Sequence, residues 1–159
     1  MASLASHSTV GAGADIPAEP QALAELTGRV MYAKDAASQA LGARLVSIGP
    51  GRASMAMTIR ADMLNGHQTC HGGFIFALAD SAFAFACNAR NQVTVAAGCS
   101  IDYLAPGLLG DVLTAQAIEV SLAGRTGVYD VLVTNQDGKR IALFRGRSYR
   151  IKGLVTDAG

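Results

Sequence analysis

Charge is scarce in this sequence. Only 16% of its 159 residues are Asp, Glu, Lys or Arg, and the net charge at pH 7 is +1. Such a balance gives no basic footprint for a nucleic acid or an anionic membrane. Long apolar runs are missing too. The longest candidate, around positions 74–86, is interrupted by Asp80 and falls short of the ~18 residues that span a bilayer. The N-terminus has neither the basic start nor the apolar core of a signal peptide. Cysteine is limited to Cys70, Cys87 and Cys99, an odd count without framework spacing. That argues against a disulfide scaffold and for a reduced, cytoplasmic setting. With no internal repeat and no linker, the chain reads as one domain with room for a proper core.

What is present is apolar: 50% of the residues are hydrophobic, which suggests that some surface is buried by self-association. The pattern is densest between positions 74 and 86, where only Asp80 and Ser81 are polar and neither Pro nor Gly occurs. Apolar residues fall at every phase of a 3.6-residue turn, so the spacing predicts a helix buried on all sides. A carboxylate in the middle of such a helix is costly to desolvate unless it is paired or hydrogen-bonded. In front of it, His71-Gly72-Gly73 opens the helix. Free N–H groups and the positive end of the dipole there favour a negatively charged guest. A buried acid and an anion-stabilising helix start are the two halves of an acyl-transfer site.

The remaining elements follow in order. Residues 1–20 are rich in Ala, Ser, Gly and Pro and read as a flexible tail. Residues 21–41 form an amphipathic helix ended by Gly42. Two short strands, 43–48 and 53–60, flank a Gly-Pro-Gly turn. Residues 61–71 lead into the central helix. Strands then follow at 93–104, 112–122, 126–134 and 139–151, the last two joined by an Asn135-Gln136-Asp137-Gly138 turn. The domain is expected over 21–152, with a polar tail at 153–159. The fold class is α+β: about six mostly antiparallel strands wrapped around one helix. One sheet covers one side of a helix, so a second copy of the chain is the economical cover for the rest.

Geometry also favours a dimer. Gly72 and Asp80 are eight residues apart, or about 12 Å along a helix. A carbonyl oxygen needs its donor at roughly 3 Å, with the acid or its water similarly close to the attacked carbon. One helix cannot serve one carbonyl with both positions. Two antiparallel helices from two protomers can, giving a two-fold dimer with two composite sites.

Asp62-Met63-Leu64-Asn65-Gly66-His67-Gln68-Thr69-Cys70-His71-Gly72-Gly73, followed by Ala77-Leu78-Ala79-Asp80-Ser81-Ala82-Phe83-Ala84-Phe85-Ala86-Cys87-Asn88, closely resembles the hotdog-fold thioesterases of the phenylacetic acid degradation protein PaaI family. The likeness continues through positions 94–104, Pro106-Gly107, Thr126-Gly127-Val128-Tyr129-Asp130 and Ala142-Leu143-Phe144-Arg145-Gly146-Arg147, and covers about residues 25–152. It implies a dimer with a continuous sheet, usually a homotetramer of such dimers. It implies hydrolysis of acyl-CoA thioesters, especially phenylacetyl-CoA and its ring-hydroxylated derivatives, without a metal or other cofactor. The matching carboxylate is Asp80, the carbonyl-polarising N–H is that of Gly72, and the matching loop residues are Asn65 and His71. Gly73 joins them as a candidate for substrate binding.

Each candidate has a plainer reading. Asp80 is a water-activating base, a nucleophile forming a mixed anhydride, or a structural carboxylate. The two glycines also suit a tight turn into a helix. An imidazolium at the helix start would oppose the dipole, so His71 fits a neutral orienting or hydrogen-bonding role better than a general base. Asn65 orients water, binds the acyl carbonyl, or stabilises a turn. Cys70 beside His71 suggests a nucleophile, but cysteine usually behaves as a small apolar residue. His67, Cys70 and His71 lack regular zinc spacing and a fourth ligand. Arg125, Arg145, Arg147 and Arg150 could hold CoA phosphates or form a solvated face. Phe74, Phe76, Phe83 and Phe85 could wall an aromatic acyl pocket, or fill the core. Two other functions share parts of this pattern: a hotdog-fold acyl-CoA dehydratase or hydratase, and a non-catalytic acyl-CoA-binding protein.

Overall fold

The computed structural model describes residues 16–157. The flexible tail expected over 1–20 therefore lies mostly outside the described residues. Its end does not: Glu19 caps helix α1 (Pro20–Lys34), its carboxylate accepting from the N–H groups of Gln21 and Ala22. The single helix expected over 21–41 is two, because α1 stops at Asp35 and α2 (Ala36–Leu41) begins after it. Asp35 serves both ends. Its backbone N–H reaches back to Tyr32 O, and its side chain accepts from Ser38 N at 2.9 Å. An Asp that can bond the backbone ahead of it competes with helix continuation. Gly42 then adopts φ 72° and closes α2, as the sequence indicated.

The strands are β1 (Arg44–Gly49), β2 (Arg52–Thr58), β3 (Gln92–Tyr103), β4 (Val112–Ala123), β5 (Thr126–Thr134) and β6 (Arg140–Leu154). They form one antiparallel sheet in the order β1-β2-β4-β5-β6-β3. The long helix α3 (Gly72–Asn88) lies on one face of it. Ile75, Leu78, Ala82 and Phe83 from α3 join Met55 and Met57 of β2, Leu113 and Ala115 of β4, Val131 and Val133 of β5 and Phe144 of β6 in the core. Each large side chain so buried contributes roughly 1.5–3 kcal/mol.

Burial of α3 on all sides is not what a single chain provides. Ala77, Asp80, Ser81 and Ala84 form a half-buried stripe at helical spacing. Part of the side away from the sheet is covered by the chain's own first helices rather than by a second copy. Ser38 Oγ lies 3.0 Å from Ser81 Oγ, and the Tyr32 ring sits 6.5 Å from that of Phe85.

Strand β6 extends three residues further than the pattern indicates and passes into a 3₁₀ turn, Val155–Asp157. Asn91 holds that turn by donating to Thr156 Oγ1 and accepting from Thr156 N. At the opposite edge of the sheet from β1, β3 pairs only with β6 among the described residues.

The junction of α3 and β3 is tied by Asn88, which is buried. Its amide donates to Ala84 O and Thr94 O and accepts from Thr94 N, each at 2.9 Å. Asn88→Ala leaves those β3 groups unpaired, and should cost about 2–3 kcal/mol. A urea melt should show a lowered midpoint with an unchanged slope; an unshifted midpoint would contradict the assignment.

Candidate active site

The site begins in the loop after β2. A 3₁₀ turn (Ala61–Met63) leads to a tight excursion closed by a bridge between Leu64 and Cys70. Asn65 organises it: Oδ1 accepts from His67 N at 2.9 Å and from Thr69 N at 3.3 Å. The turn-stabilising reading of Asn65 therefore holds for its oxygen, while Nδ2 has no partner among the described residues. The loop delivers His71, whose N–H bonds Met63 O at 2.8 Å.

His71 is the N-cap of α3. Its Nδ1 accepts from Gly73 N at 2.9 Å. An N–H pointing at Nδ1 requires a lone pair there, so the ring proton sits on Nε2, a donor facing outward. Gly73 N–H is thereby consumed, whereas Gly72 N–H has no acceptor among the described residues. Gly72 is also sterically fixed. A Cβ there would lie 2.9 Å from Cζ of Tyr103, whose hydroxyl donates to Gly72 O at 2.9 Å.

Two turns on, Asp80 is half-buried on the open stripe of α3. Burial raises its carboxyl above the usual range, and a hydrogen bond from Cys99 partly offsets this. The Cys99 thiol lies 3.8 Å from Asp80 Oδ1. Cys99 and Tyr103 both belong to β3, so the start and the middle of α3 are each touched by the edge strand. Sequence reasoning missed both residues. Alternation along 99, 101 and 103 would have placed them on one face of the strand, but which helix residues they meet depends on how β3 lies against α3.

Cys70 is buried and its thiol is pushed up to about 11 by desolvation, the opposite of an activated nucleophile. Among the described residues, no three His, Cys, Asp or Glu side chains come together as a metal site. Phe83 and Phe85 are core. Phe76 is half-buried, edge-on to Phe144 at 5.4 Å, and Phe74 packs edge-on to His71 at 6.3 Å, beside the helix start. Arg145 and Arg147 do share a strand face, but it is the outer one. They pair in register with Ser100 and Gly98, whereas Cys99 pairs with Gly146 on the helix side. Arg145 is further held by Asp130 through bonds of 2.6 and 2.7 Å.

Residues 67–142 match the model of the thioesterase superfamily. The chain is 52% identical over 126 residues to the acyl-coenzyme A thioesterase PaaI of Escherichia coli K12, covering 79% of this chain and 90% of that one. This chain belongs to the PaaI family of acyl-CoA thioesterases. The structure of the E. coli PaaI protein from the phenylacetic acid degradation operon superposes with a TM-score of 0.84, at 48% identity, over 86% of this chain and 99% of the other. A thioesterase protein with coenzyme A from Streptococcus pneumoniae has a TM-score of 0.67 at 27% identity, over 70% and 87% of the two chains. As a PaaI-family member the chain is a thioester hydrolase, and the hotdog fold expected from its sequence is the one it has. No described helix is long and apolar enough to cross a membrane.

In this PaaI-family site the raised carboxyl of Asp80 carries a stability cost. The folded chain holds that proton more tightly than the unfolded one, so stability falls as pH rises from the ordinary carboxylate range through the raised value. Asp80→Asn, a neutral isostere, should therefore melt a few degrees higher than wild type at pH 7.5, with the gap closing as pH falls through that window. Melting curves at several pH values check this; an Asn variant less stable at pH 7.5 would mean that the carboxylate is structurally paired instead.

Proposed function

We propose that the protein hydrolyses phenylacetyl-CoA and ring-hydroxylated phenylacetyl-CoA, at sites built by two copies of the chain. The observation that carries this is the shared edge. Gly72 and Asp80 stand about 12 Å apart along α3, yet both are touched by β3, whose outer edge has no partner strand among the described residues. Val95 and Tyr103 on β3 are 44% and 51% exposed. A long unpaired strand with apolar side chains invites pairing with another strand. A two-fold through that edge lays α3 of each protomer antiparallel to the other, so the Gly72 end of one approaches Asp80 of its partner. The sheet's outer face, where Ile118 and Leu143 are 62% and 44% exposed, offers a surface for joining two such dimers.

In the proposed reaction Gly72 N–H donates to the thioester carbonyl oxygen, where negative charge develops. His71 Nε2–H is a second donor at the same helix start. Asp80 of the other protomer takes a proton from water as the water oxygen attacks the carbonyl carbon. Direct attack by the carboxylate, giving a mixed anhydride that water then opens, uses the same geometry. In either route the C–S bond breaks, CoA leaves as its thiolate, and the acid is released. Water and the chain's own groups supply the steps. The aromatic preference is supported by the phenylacetic acid degradation operon of the E. coli relative and by Phe74 beside the helix start.

Thiol release from phenylacetyl-CoA and a short panel of aliphatic acyl-CoAs tests this. Fast release is expected from the aromatic thioesters, lost at least ~100-fold in Asp80→Asn, or ~2.7 kcal/mol of barrier. Release confined to aliphatic substrates would overturn the specificity. Full activity in Asp80→Asn would overturn the mechanism.

A further inference from the structure

Two hydrogen bonds at the start of α3 share one peptide unit. Tyr103 Oη donates to the carbonyl of the Gly72–Gly73 peptide at 2.9 Å, and the N–H of that same peptide donates to His71 Nδ1 at 2.9 Å. The hydroxyl, the peptide and the imidazole form a single line of donors and acceptors running from the edge strand to the mouth of the site. We infer that Tyr103 is a positioning residue: through the Gly72–Gly73 peptide it fixes the His71 ring and leaves both His71 Nε2–H and Gly72 N–H aimed at the substrate carbonyl. This rests on the thioesterase reading above and goes beyond it, because Tyr103 has no part in the chemistry itself.

The physical argument has three steps. A carbonyl that accepts a hydrogen bond polarises its peptide, which makes the N–H on the other side a stronger donor. That N–H meets the lone pair of Nδ1, so the ring proton is held on Nε2 and the ring plane is set. The Tyr103 ring also lies against Gly72, where a Cβ would be 2.9 Å from Cζ, so the first turn of α3 cannot shift toward β3. The Gly72 N–H belongs to the preceding peptide, and its direction is kept by this ring contact, which Tyr103→Phe retains.

Tyr103→Phe removes the hydroxyl and keeps the ring. Loss of one neutral hydrogen bond that acts mainly on transition-state donors should lower kcat about 3- to 10-fold, with KM within about twofold. The double variant with His71→Ala separates this role from a merely structural one. If Tyr103 acts through His71, Tyr103→Phe should change kcat by less than about twofold in the His71→Ala background. Imidazole 15N shifts of free wild type should show His71 as the Nε2–H tautomer, with Tyr103→Phe moving the shifts toward a tautomer mixture. An equal fall of kcat in both backgrounds, or an unmoved tautomer, would overturn the proposal. A wild type that releases no thiol would remove the thioesterase reading, and the 15N shifts of the free protein would then decide the Tyr103 contact by themselves.

Discussion

The packing of one helix against one edge strand sets the spacing of everything else in the site. α3 and β3 run antiparallel, and three side-chain contacts fix them together: Tyr103 with Gly72, Cys99 with Asp80, and Thr94 with Asn88. Each interval on the helix is eight residues, about 12 Å at the helical rise. Between Cys99 and Tyr103 the strand needs four residues, about 13 Å at the strand rise. Between Thr94 and Cys99 it has five, and the irregularity between Ala96 and Gly98 absorbs the extra one. The two elements are thus commensurate, and an acid and a helix start that one helix keeps apart are both brought to the same free edge.

Electrostatics explains why the acid is tolerable in that place. Asp80 sits on the one stripe of α3 that neither the sheet nor α1 and α2 fully cover, so it is half-buried rather than engulfed. Desolvation raises its carboxyl, and Cys99 supplies a weak donor to the charged form. A basic carboxylate is what proton abstraction from water requires. The stability lost there is made up in the core beneath, where Phe83, Met55, Met57 and Leu113 are almost fully buried.

Much of this was legible in the residues. Asp80 stood out because an unpaired carboxylate in an apolar helix contradicts the cost of desolvation. The element order followed from helical and strand periodicity, with Gly42 and the turn at Gly138 as punctuation. Other features depend on contacts distant in sequence and left no local pattern. Asp35 splits a continuous amphipathic stretch by capping forward. The segment after position 151 looks polar, yet Asn91 pins it from 65 residues away. Tyr103 and Cys99 carry no signal until β3 is laid against α3. The half-exposed stripe on α3 was invisible because alanine is apolar whether covered or not.

The central claim is that Gly72 of one protomer and Asp80 of the other serve one carbonyl. Mixing two inactive variants tests it most directly. Gly72→Pro removes the N–H at a helix position that tolerates proline, and its ring carbon also meets Tyr103. Asp80→Asn removes the base. If the sites are composite, each mixed dimer holds one site with both defects and one with neither, so random re-pairing should restore about a quarter of wild-type activity. No recovery from mixed dimers shown to form, or full activity in a folded monomer, would contradict the account.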